Sequence, residues 1–360
     1  MESRRKIRVL IVDDSLALCR FLQATLSRDA ALEVVDYALD AYEAREKIKL
    51  YNPDVLTLDV EMPRMDGLTF LKNLMRLHPM PVVMLSSLTA AGAAVTLDAL
   101  QEGAVDFMVK RHPGSDAELE SYTEEIVERV KQAGQVNVHA YGSAIVEKPL
   151  PDLTHFRRKL KASSRLNSSL SRVVAIGAST GGPEALRQVL NGFDASSCAL
   201  LIVQHMPERY MGAFARRLDS YSSFDIRIAE TNEKVVAGRG YVAPGDHHLE
   251  VVRKGQGLVC ITRRSEVVLG HRPSVDVLFS SVADNAGKSG VGLLLTGMGE
   301  DGAEGLKKMR NAGALTVVQD KKSSAVWGMP GRAFELGGAD GMMGLQQISP
   351  SLNALLGKVA

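Results

Sequence analysis

The chain has 360 residues, of which 45% are hydrophobic and 24% are charged. This composition is typical of a globular protein with two domains that each bury a core, and it excludes a disordered or fibrous chain. The 43 basic and 42 acidic residues nearly cancel, so no whole-chain charge favours binding to nucleic acid or to an anionic membrane.

The cysteines and the apolar segments indicate the compartment. Cys19, Cys198 and Cys260 are odd in number and far apart, which favours a reducing compartment without structural zinc. The first apolar run ends at Asp13 and Asp14, too soon for a signal peptide. No later stretch is long enough to span a bilayer. We therefore expect a cytoplasmic protein with no direct membrane insertion.

The first third of the chain alternates short apolar runs with amphipathic segments. The runs predict strands over Ile7–Val12, Val34–Ala38, Val55–Leu58, Val82–Leu85 and Val105–Val109. The segments between them predict helices over Ser15–Ser27, Ala41–Leu50, Leu68–Leu77 and Ala94–Glu102, with Gly103 as a C-terminal stop. A fifth helix is predicted next, with Leu119, Tyr122, Ile126 and Val130 on one face. This alternation predicts a five-stranded parallel, doubly wound sheet of the flavodoxin-like type.

A linker and a second α/β pattern follow. Residues 134–171 lose periodicity and are rich in proline, serine and basic residues, which predicts an exposed linker whose charges are solvated. Further on, apolar runs predict a second doubly wound, mostly parallel sheet: Val173–Ile176, Ala199–Val203, Val291–Leu295 and Leu315–Val318. Shorter runs predict an antiparallel excursion: Tyr241–Ala243, Leu249–Val252 and Leu258–Ile261. The predicted division is 1–133, a linker over 134–171, and 172–360.

Five polar residues follow predicted strands of the first domain: Asp13, Asp14, Asp59, Ser86 and Lys110. Parallel sheets place their ligand chemistry at this edge. Three carboxylates would repel each other there unless a cation joined them, and Mg²⁺ suits hard oxygen ligands. A carboxylate beside that ion can accept a phosphoryl group. Each acid alone is better explained as a helix cap, but the set as a whole favours a phosphoryl-transfer site.

The motifs around these residues identify a family. Val12–Ser15 and Leu58–Gly67, together with Ser86 and Lys110, resemble the receiver domains of two-component response regulators over about the first third of the chain. The resemblance implies that a partner histidine kinase phosphorylates Asp59. One departure is that Arg111-His112 separate Lys110 from Pro113, where receivers usually place the proline directly after the lysine.

The same resemblance implies roles for the surrounding residues. It implies that Asp13, Asp14, Asp59 and the carbonyl of Glu61 hold Mg²⁺. It also implies that Ser86 and Lys110 contact the phosphoryl group and that Phe107 is the switch aromatic.

The second domain opens with a strand, a glycine-rich turn over Gly177–Pro183 and a helix over Glu184–Leu190. A serine at such a turn, here Ser179, can expose its hydroxyl above the sheet, and the N–H groups at the helix start can receive an oxyanion. The main rival is a dinucleotide-binding turn. Ser179 stands where that turn needs a glycine, and the next strand ends in Gln204-His205 rather than in an acid. We therefore favour a serine hydrolase.

A hydrolase of this kind needs a base and an acid. His205 ends a predicted strand and is the favoured base over His247, His248 and His271. The acid stays open among Asp246, Asp276, Glu300 and Asp301, with the last two leading because they follow a predicted strand.

Five motifs resemble the catalytic domain of the CheB family of chemotaxis protein-glutamate methylesterases: Val174–Leu186, Gln204–Pro207, Ala243–His248, Arg272–Phe279 and Leu295–Gly302. The resemblance covers Val173 to the end of the chain. It implies a nucleophile at Ser179, a base at His205 and an acid at Asp301. It also implies that the N–H groups of Thr180 and Met298 bind the oxyanion and that hydrolysis needs no cofactor.

The implied substrates are glutamate γ-methyl esters and glutamines on the cytoplasmic helices of methyl-accepting chemoreceptors. Two alternative functions fit the sequence less well: a receiver with a DNA-binding output and a receiver with a nucleotide-binding oxidoreductase. A DNA-binding output needs a concentrated basic recognition helix, and the C-terminal half has mixed charge instead. No nucleic-acid partner is therefore expected.

Overall fold

The computed structural model describes residues 5–87, 89–111, 113–136, 172–194 and 198–356. The chain forms two compact units, Met1–Ser143 and Ala144–Ala360. Most of the predicted linker lies outside the described residues, so the division into 1–133, 134–171 and 172–360 stays a prediction. None of the described helices is long and apolar enough to cross a membrane.

The first unit is a parallel five-stranded sheet with the strand order β2-β1-β3-β4-β5. Its strands are β1 (Ile7–Val12), β2 (Leu32–Ala38), β3 (Val55–Asp59), β4 (Val82–Ser86) and β5 (Asp106–Val109). Its helices are α1 (Leu16–Leu26), α2 (Ala41–Tyr51), α3 (Gly67–Leu77), α4 (Ala90–Gln101) and α5 (Asp116–Ala133). The predicted doubly wound parallel architecture is confirmed.

Helix starts in this unit follow from their capping residues. A polar side chain accepts a hydrogen bond from the first turn of each helix: Ser15, Asp40, Asp66, Thr89 and Ser115. Thr89 explains why α4 begins at Ala90 rather than at the predicted Ala94. Gly103 follows the end of α4 with a φ of +105°, a left-handed conformation that suits glycine.

The apolar face predicted for α5 is buried over most of its length, and its N-terminal end is exposed. Leu119 is 38% exposed, whereas Tyr122, Ile126 and Val130 are buried. Leu119 lies one turn from the N-terminus of the helix, where it lines an open groove between α1 and α5 together with Phe21. The apolar spacing predicts the face of the helix correctly, but it does not show where the covering elements end.

The second unit is built on a parallel seven-stranded sheet with the order β14-β13-β12-β6-β7-β9-β8. Its strands, including a separate β10–β11 pair, are β6 (Arg172–Ala178), β7 (Cys198–Gln204), β8 (Asp225–Ile228), β9 (Arg239–Val242), β10 (His248–Lys254), β11 (Gly257–Arg263), β12 (Gly290–Leu294), β13 (Leu315–Gln319) and β14 (Gly341–Met343). Its helices are α6 (Gly182–Leu190), α7 (Glu208–Tyr221), α8 (Val275–Asn285), α9 (Ala303–Asn311), α10 (Met329–Glu335) and α11 (Leu345–Leu356), with a 3₁₀ turn at Gly287–Ser289.

The predicted antiparallel excursion is partly wrong. β10 and β11 pair antiparallel as predicted, but β9, which contains Tyr241, pairs parallel with both β7 and β8. The Tyr241 ring is fully buried, and its hydroxyl donates to the carbonyl of Lys234 at 2.6 Å. β9 therefore extends the main sheet.

The strand order creates a crevice at one point of the sheet. From β6 the chain crosses to β7 on one side, and from β12 it crosses to β13 on the other. β6 and β12 are neighbours in register from Val173 and Gly290 onward. The loops that leave their carboxyl ends diverge, and ligands of open α/β sheets bind in the crevice at such a switch point.

Candidate active site and phosphoacceptor site

Ser179 lies at the switch point, directly after β6. Its N–H donates to the carbonyl of Thr296 at 3.0 Å, and its own carbonyl accepts from the Gly182 N–H at 2.7 Å. Gly181, the residue before α6, has a φ of +73° and supplies no side-chain cap. The first turn of α6 is therefore not occupied by a capping side chain, unlike the helices of the first unit.

His205 lies beside Ser179 because of the strand register. Ala178 pairs with Gln204 in the β6–β7 ladder, and the next residue, His205, donates its N–H to the carbonyl of Ala178 at 3.1 Å. Ser179 and His205 thus leave adjacent strand ends at the same level. The sequence prediction that they share one sheet edge is confirmed by this geometry.

Gln204 joins the two turns, a role that sequence reasoning missed. Its Nε2 donates to the carbonyls of Ser179, at 2.9 Å, and of His205, at 3.1 Å. The side chain is 2% exposed, and a Cβ on Gly182 would collide with it. The signal in the sequence was a polar residue that closes an otherwise apolar buried strand.

Asp301 is the acid that faces His205. The Nε2 of His205 lies 2.8 Å from Oδ2 of Asp301. The carboxylate also accepts from the Ser274 hydroxyl at 2.7 Å and from the N–H groups of Val275 and Asp276 at 2.7 and 3.0 Å. It therefore occupies the N-terminus of α8, where the helix dipole favours a negative charge.

These contacts keep Asp301 ionised. Burial works to raise the pKa of the Asp301 carboxyl, but the hydrogen bond and the charge of His205, followed by the N–H groups of Asp276 and Val275, outweigh it. The net pKa lies below the ordinary value. A permanent carboxylate at this position suits the acid of a catalytic triad.

The pairing with Asp301 leaves Nδ1 of His205 for proton transfer. Nδ1 is buried and has no hydrogen-bond partner among the described residues, so the Ser179 hydroxyl is not bonded to it in this structure. A hydrogen on Nε2, directed at Asp301, makes Nδ1 the acceptor of the neutral ring. This buried ring nitrogen beside the Ser179 turn is therefore available to accept a proton, as a general base requires.

The other candidate acids have different partners. Glu300 is exposed and pairs with Arg332 at 3.2 Å. Asp246 accepts from Arg272 at 2.8 Å, and Asp276 accepts from the N–H of Gly305 at 2.6 Å. The geometry thus favours one of the four acids that the sequence left open.

The other candidate bases are also separated from the acid. His248 is fully buried, with Nδ1 accepting from the Ser274 N–H at 3.1 Å and Nε2 at 2.8 Å from a carbonyl. His247 holds the carbonyl of Gly245 at 3.0 Å. His271 stacks on His205, with ring centroids 3.7 Å apart and planes at 10°. The contact with the Asp301 carboxylate therefore supports His205 as the base.

The turn after β12 packs directly on Ser179. A Cβ on Gly297 would lie 2.8 Å from Cβ of Ser179 and would collide with the sulfur of Met329. The Thr296 hydroxyl donates to the carbonyl of Thr180 at 3.0 Å. The N–H of Met298 has no acceptor within the described ranges. The two predicted oxyanion residues, Thr180 and Met298, therefore belong to two turns that face each other across Ser179.

The first unit gathers its polar residues at the carboxyl edge of its sheet. Nζ of Lys110 lies 2.8 Å from Oδ2 of Asp13 and 2.8 Å from Oδ1 of Asp59. Asp13, Asp14 and Asp59 each offer a carboxylate oxygen, and these oxygens lie within 4.8 Å of one another. Three hard oxygen ligands at this spacing fit a divalent cation such as Mg²⁺.

Asp59 is the acid with the most perturbed environment in this cluster. Burial raises the pKa of its carboxyl to about 6, and the negative charge of Asp13 adds to that effect while Lys110 opposes it. The turn after β3 returns close to the strand, because a Cβ on Gly67 would collide with the carbonyl of Asp59. The phosphoacceptor candidate is therefore a buried carboxylate with a turn packed against its backbone.

Three further residues are expected to act with this carboxylate cluster: Ser86, Phe107 and Glu61. Ser86 is buried and accepts from the Thr96 hydroxyl at 2.6 Å, and its carbonyl accepts from the Lys110 N–H at 2.8 Å. Phe107 is 6% exposed. The Glu61 carboxylate accepts from Ser87 at 3.2 Å. The phosphoryl, switch and metal roles of Ser86, Phe107 and Glu61 stay predictions.

Arg111, the first unusual residue after Lys110, is anchored on α5. Arg111 pairs with Glu125 at 3.0 Å and lies over the Tyr122 ring, 5.6 Å from its centroid. The Tyr122 hydroxyl donates to the carbonyl of Val109 at 3.1 Å. Arg111 thus supplies an attachment for the loop that carries Lys110, while His112 lies outside the described residues.

Comparison with known proteins gives a family match for each unit. Residues 174–352 match the family described as CheB methylesterase, and residues 9–122 match the response regulator receiver domain. A protein-glutamate methylesterase/protein-glutamine glutaminase 2 of Xanthomonas oryzae is 49% identical over 349 residues, covering 97% of each chain. A protein-glutamate methylesterase/protein-glutamine glutaminase of Hydrogenovibrio crunogenus is 45% identical over 377 residues, covering 98% of this chain and 100% of its own.

A solved structure matches the second unit. The Thermotoga maritima CheB methylesterase catalytic domain is 33% identical with a TM-score of 0.50, covering 51% of this chain and 98% of its own. The relatives span nearly the full length of this chain, and the two family matches follow each other in the same order as the two units. The chain therefore belongs to the CheB methylesterase family.

Proposed function

We propose that this protein hydrolyses glutamate γ-methyl esters, and deamidates glutamines, on the cytoplasmic helices of chemoreceptors, under the control of phosphorylation at Asp59. The hydrolase activity is supported by the buried His205–Asp301 pair, whose atoms lie 2.8 Å apart beside the turn that contains Ser179. The substrate class is supported by the names of the relatives, which span nearly the whole chain.

The first chemical step uses the unpaired nitrogen of His205. Nδ1 takes the hydroxyl proton of Ser179 while the serine oxygen bonds to the ester carbonyl carbon. The imidazolium that forms keeps its Nε2–H on the Asp301 carboxylate, whose charge stabilises it. The carbonyl oxygen becomes an oxyanion, which the N–H groups of Thr180 and Met298 receive.

The intermediate then collapses in two stages. The bond to the methoxy oxygen breaks, and Nδ1–H of the imidazolium gives its proton to the departing methanol. Water next attacks the acyl-serine, with His205 again as base, and releases the glutamate carboxyl group and the Ser179 hydroxyl. A glutamine follows the same course with ammonia as the leaving group.

The receiver site supplies the control. Asp59 would accept the phosphoryl group, and Asp13, Asp14, Asp59 and the Glu61 carbonyl would hold Mg²⁺. The ion, when bound, offsets the negative charge that gathers on the carboxylates and the phosphoryl oxygens. Lys110, already 2.8 Å from Asp59, is placed to contact the phosphoryl group together with Ser86. Phe107 is proposed as the switch aromatic.

The proposed partners follow from these two activities. A histidine kinase would donate the phosphoryl group, and chemoreceptor helices would supply the esters. Both partners place the protein in the cytoplasm, and neither activity involves nucleic acid.

The deciding experiment measures methanol release from methylated receptor membranes. We expect release that rises when a small phosphodonor and Mg²⁺ are added, and no release by Ser179→Ala. Asp59→Asn should release methanol at the basal rate whether or not phosphodonor is present. Full activity of Ser179→Ala would overturn the hydrolase mechanism, and stimulation of Asp59→Asn would overturn the assigned phosphoacceptor.

A further inference from the structure

A second histidine ring covers the face of the proposed base. The rings of His271 and His205 are nearly parallel, with planes at 10° and centroids 3.7 Å apart. The His205 side chain is only 8% exposed. Asp301 contacts the edge of this ring at Nε2, and His271 packs against its face.

A tight turn places His271 in this position. The N–H of His271 donates to the carbonyl of Val268 at 2.8 Å, and the N–H of Val268 donates back to the carbonyl of His271 at 3.1 Å. The two central residues, Leu269 and Gly270, have φ of +50° and +80°, which is the conformation of a two-residue type I′ hairpin turn. A positive φ is uncommon for a leucine and sterically unfavourable.

The segment that follows is anchored on both sides of the site. Arg272 donates to Asp246 at 2.8 Å and to the carbonyl of Ser265 at 2.7 Å. Two residues later, Ser274 donates to Asp301 at 2.7 Å. One short piece of chain therefore fixes the ring that covers His205 and the hydroxyl that orients its acid.

We propose that His271 is a positioning residue of the hydrolase, whose imidazole keeps the His205 ring in the orientation that pairs Nε2 with Asp301 and leaves Nδ1 for Ser179. The inference rests on the proposed role of His205 as the base. Rotation of that ring about its Cβ–Cγ bond would take Nδ1 away from the serine, and a parallel ring against its face opposes this rotation.

This role separates shape from chemistry, which makes it testable. An aromatic ring without nitrogen retains the stack, whereas alanine removes it. Stacked aromatic pairs contribute about 0.5–1.5 kcal/mol. We therefore expect His271→Ala to lower kcat for methanol release by about twofold to twelvefold with KM unchanged, and His271→Phe to keep kcat near the wild-type value.

A spectroscopic readout accompanies the kinetics. The proton shared by Nε2 of His205 and Asp301 should give a downfield signal in proton NMR of the full chain. The signal should persist in His271→Phe and broaden or vanish in His271→Ala. His247→Ala is the matched control, because its Nδ1 lies 3.0 Å from the carbonyl of Gly245 and its ring does not stack on His205, and it should keep both the signal and the rate.

Three results separate the possibilities. Wild-type kcat in His271→Ala, or a folded His271→Phe that is as slow as His271→Ala, would overturn the positioning role. If His271→Ala fails to fold, His271→Phe with an intact downfield signal and near-normal kcat supports the role, and a lost signal overturns it. An active Ser179→Ala would instead remove the proposed function on which the inference rests.

Discussion

Asp276 and Asp301 cap each other's helices. The Asp301 carboxylate accepts from the Asp276 N–H at the start of α8, and the Asp276 carboxylate accepts from the Gly305 N–H in the first turn of α9. The two carboxyl groups have different partners, and their pKa values shift in opposite directions. The pKa of Asp301 is held below its ordinary value, with His205 as the main stabilising partner, whereas that of Asp276 is raised to about 6.

The first prediction concerns the stability of this pair. Burial raises the pKa of Asp276, the Gly305 N–H opposes that effect, and the charge of Asp301 adds to it. The folded protein therefore binds this proton more tightly than the unfolded chain. The stabilisation is complete below the ordinary pKa of 3.8 and is lost as the pH rises through about 6.

The test is the pH dependence of unfolding in Asp276→Asn. The asparagine can still accept from Gly305 but does not titrate, so the free energy of unfolding should fall less steeply over this window than in the wild type. Fluorescence of Trp327, the sole tryptophan, reports on the second unit alone. Identical slopes for both proteins would contradict the prediction. Asp276→Ala also loses the hydrogen bond from the Gly305 N–H. Its free energy of unfolding should therefore be about 1 kcal/mol lower than that of Asp276→Asn at every pH.

The identity of the acid gives the second prediction. Asp301→Asn should lower kcat for methanol release by on the order of 10³-fold or more, because the amide does not stabilise the imidazolium. Glu300→Gln is the matched control, since Glu300 is exposed and pairs only with Arg332 among the described residues. It should keep nearly full activity. The reverse pattern would move the acid by one residue.

The third prediction is that the triad acts as a unit. Ser179→Ala and the double variant Ser179→Ala/His205→Ala should be similarly inactive, because the base has no proton to take once the serine hydroxyl is gone. The measurement is methanol release by each single variant and by the pair. Losses that multiply would indicate that the two residues act independently.

These predictions show what the sequence could and could not reveal. Branched apolar runs predict both sheets, because buried parallel strands need such residues on both faces. β8 was missed because Asp225 and Arg227 alternate with apolar residues at the exposed edge of the sheet. β14 was missed because it has only three residues. Ser179 and His205 closely follow two of these apolar runs, so the same pattern predicts that both lie at strand ends.

The acid was not readable from spacing alone. Four carboxylates follow turns, and the choice depends on which one meets the N-terminus of α8 in three dimensions. Gln204 and His271 act through contacts with carbonyls and with a ring face, and these contacts leave no spacing pattern in the sequence. The family resemblance pointed to Asp301, and the geometry agrees with it.

The fourth prediction concerns the phosphoacceptor and its metal. Asp59→Asn should abolish labelling by a phosphodonor. A chelator in excess should do the same to the wild type, because Lys110 alone supplies one positive charge against three carboxylates and the incoming phosphoryl group. Asp66→Asn is the matched control. Asp66 is an exposed helix cap that asparagine can replace, so this variant should label normally. Labelling that is unaffected by chelation would contradict the magnesium site.

The last prediction tests the close approach of the turn after β12 to the nucleophile. Gly297 has no room for a side chain: a Cβ there would lie 2.8 Å from the Cβ and 3.1 Å from the N of Ser179 and would collide with Met329. Gly297→Ala must therefore push the turn away from Ser179 or displace the serine itself. Either movement separates the Met298 N–H from the position of the oxyanion. Loss of one oxyanion donor costs about 10²–10³-fold in kcat, and we expect a loss of that order with a smaller change in KM.

The turn also pairs with Trp327 through a bridge from Gly297, so the tryptophan emission should shift in the same variant. Gly257→Ala is the control, because a Cβ at Gly257 meets nothing within 4 Å, and it should leave both the rate and the emission unchanged. Wild-type kcat in a folded Gly297→Ala would mean that the turn does not support the oxyanion.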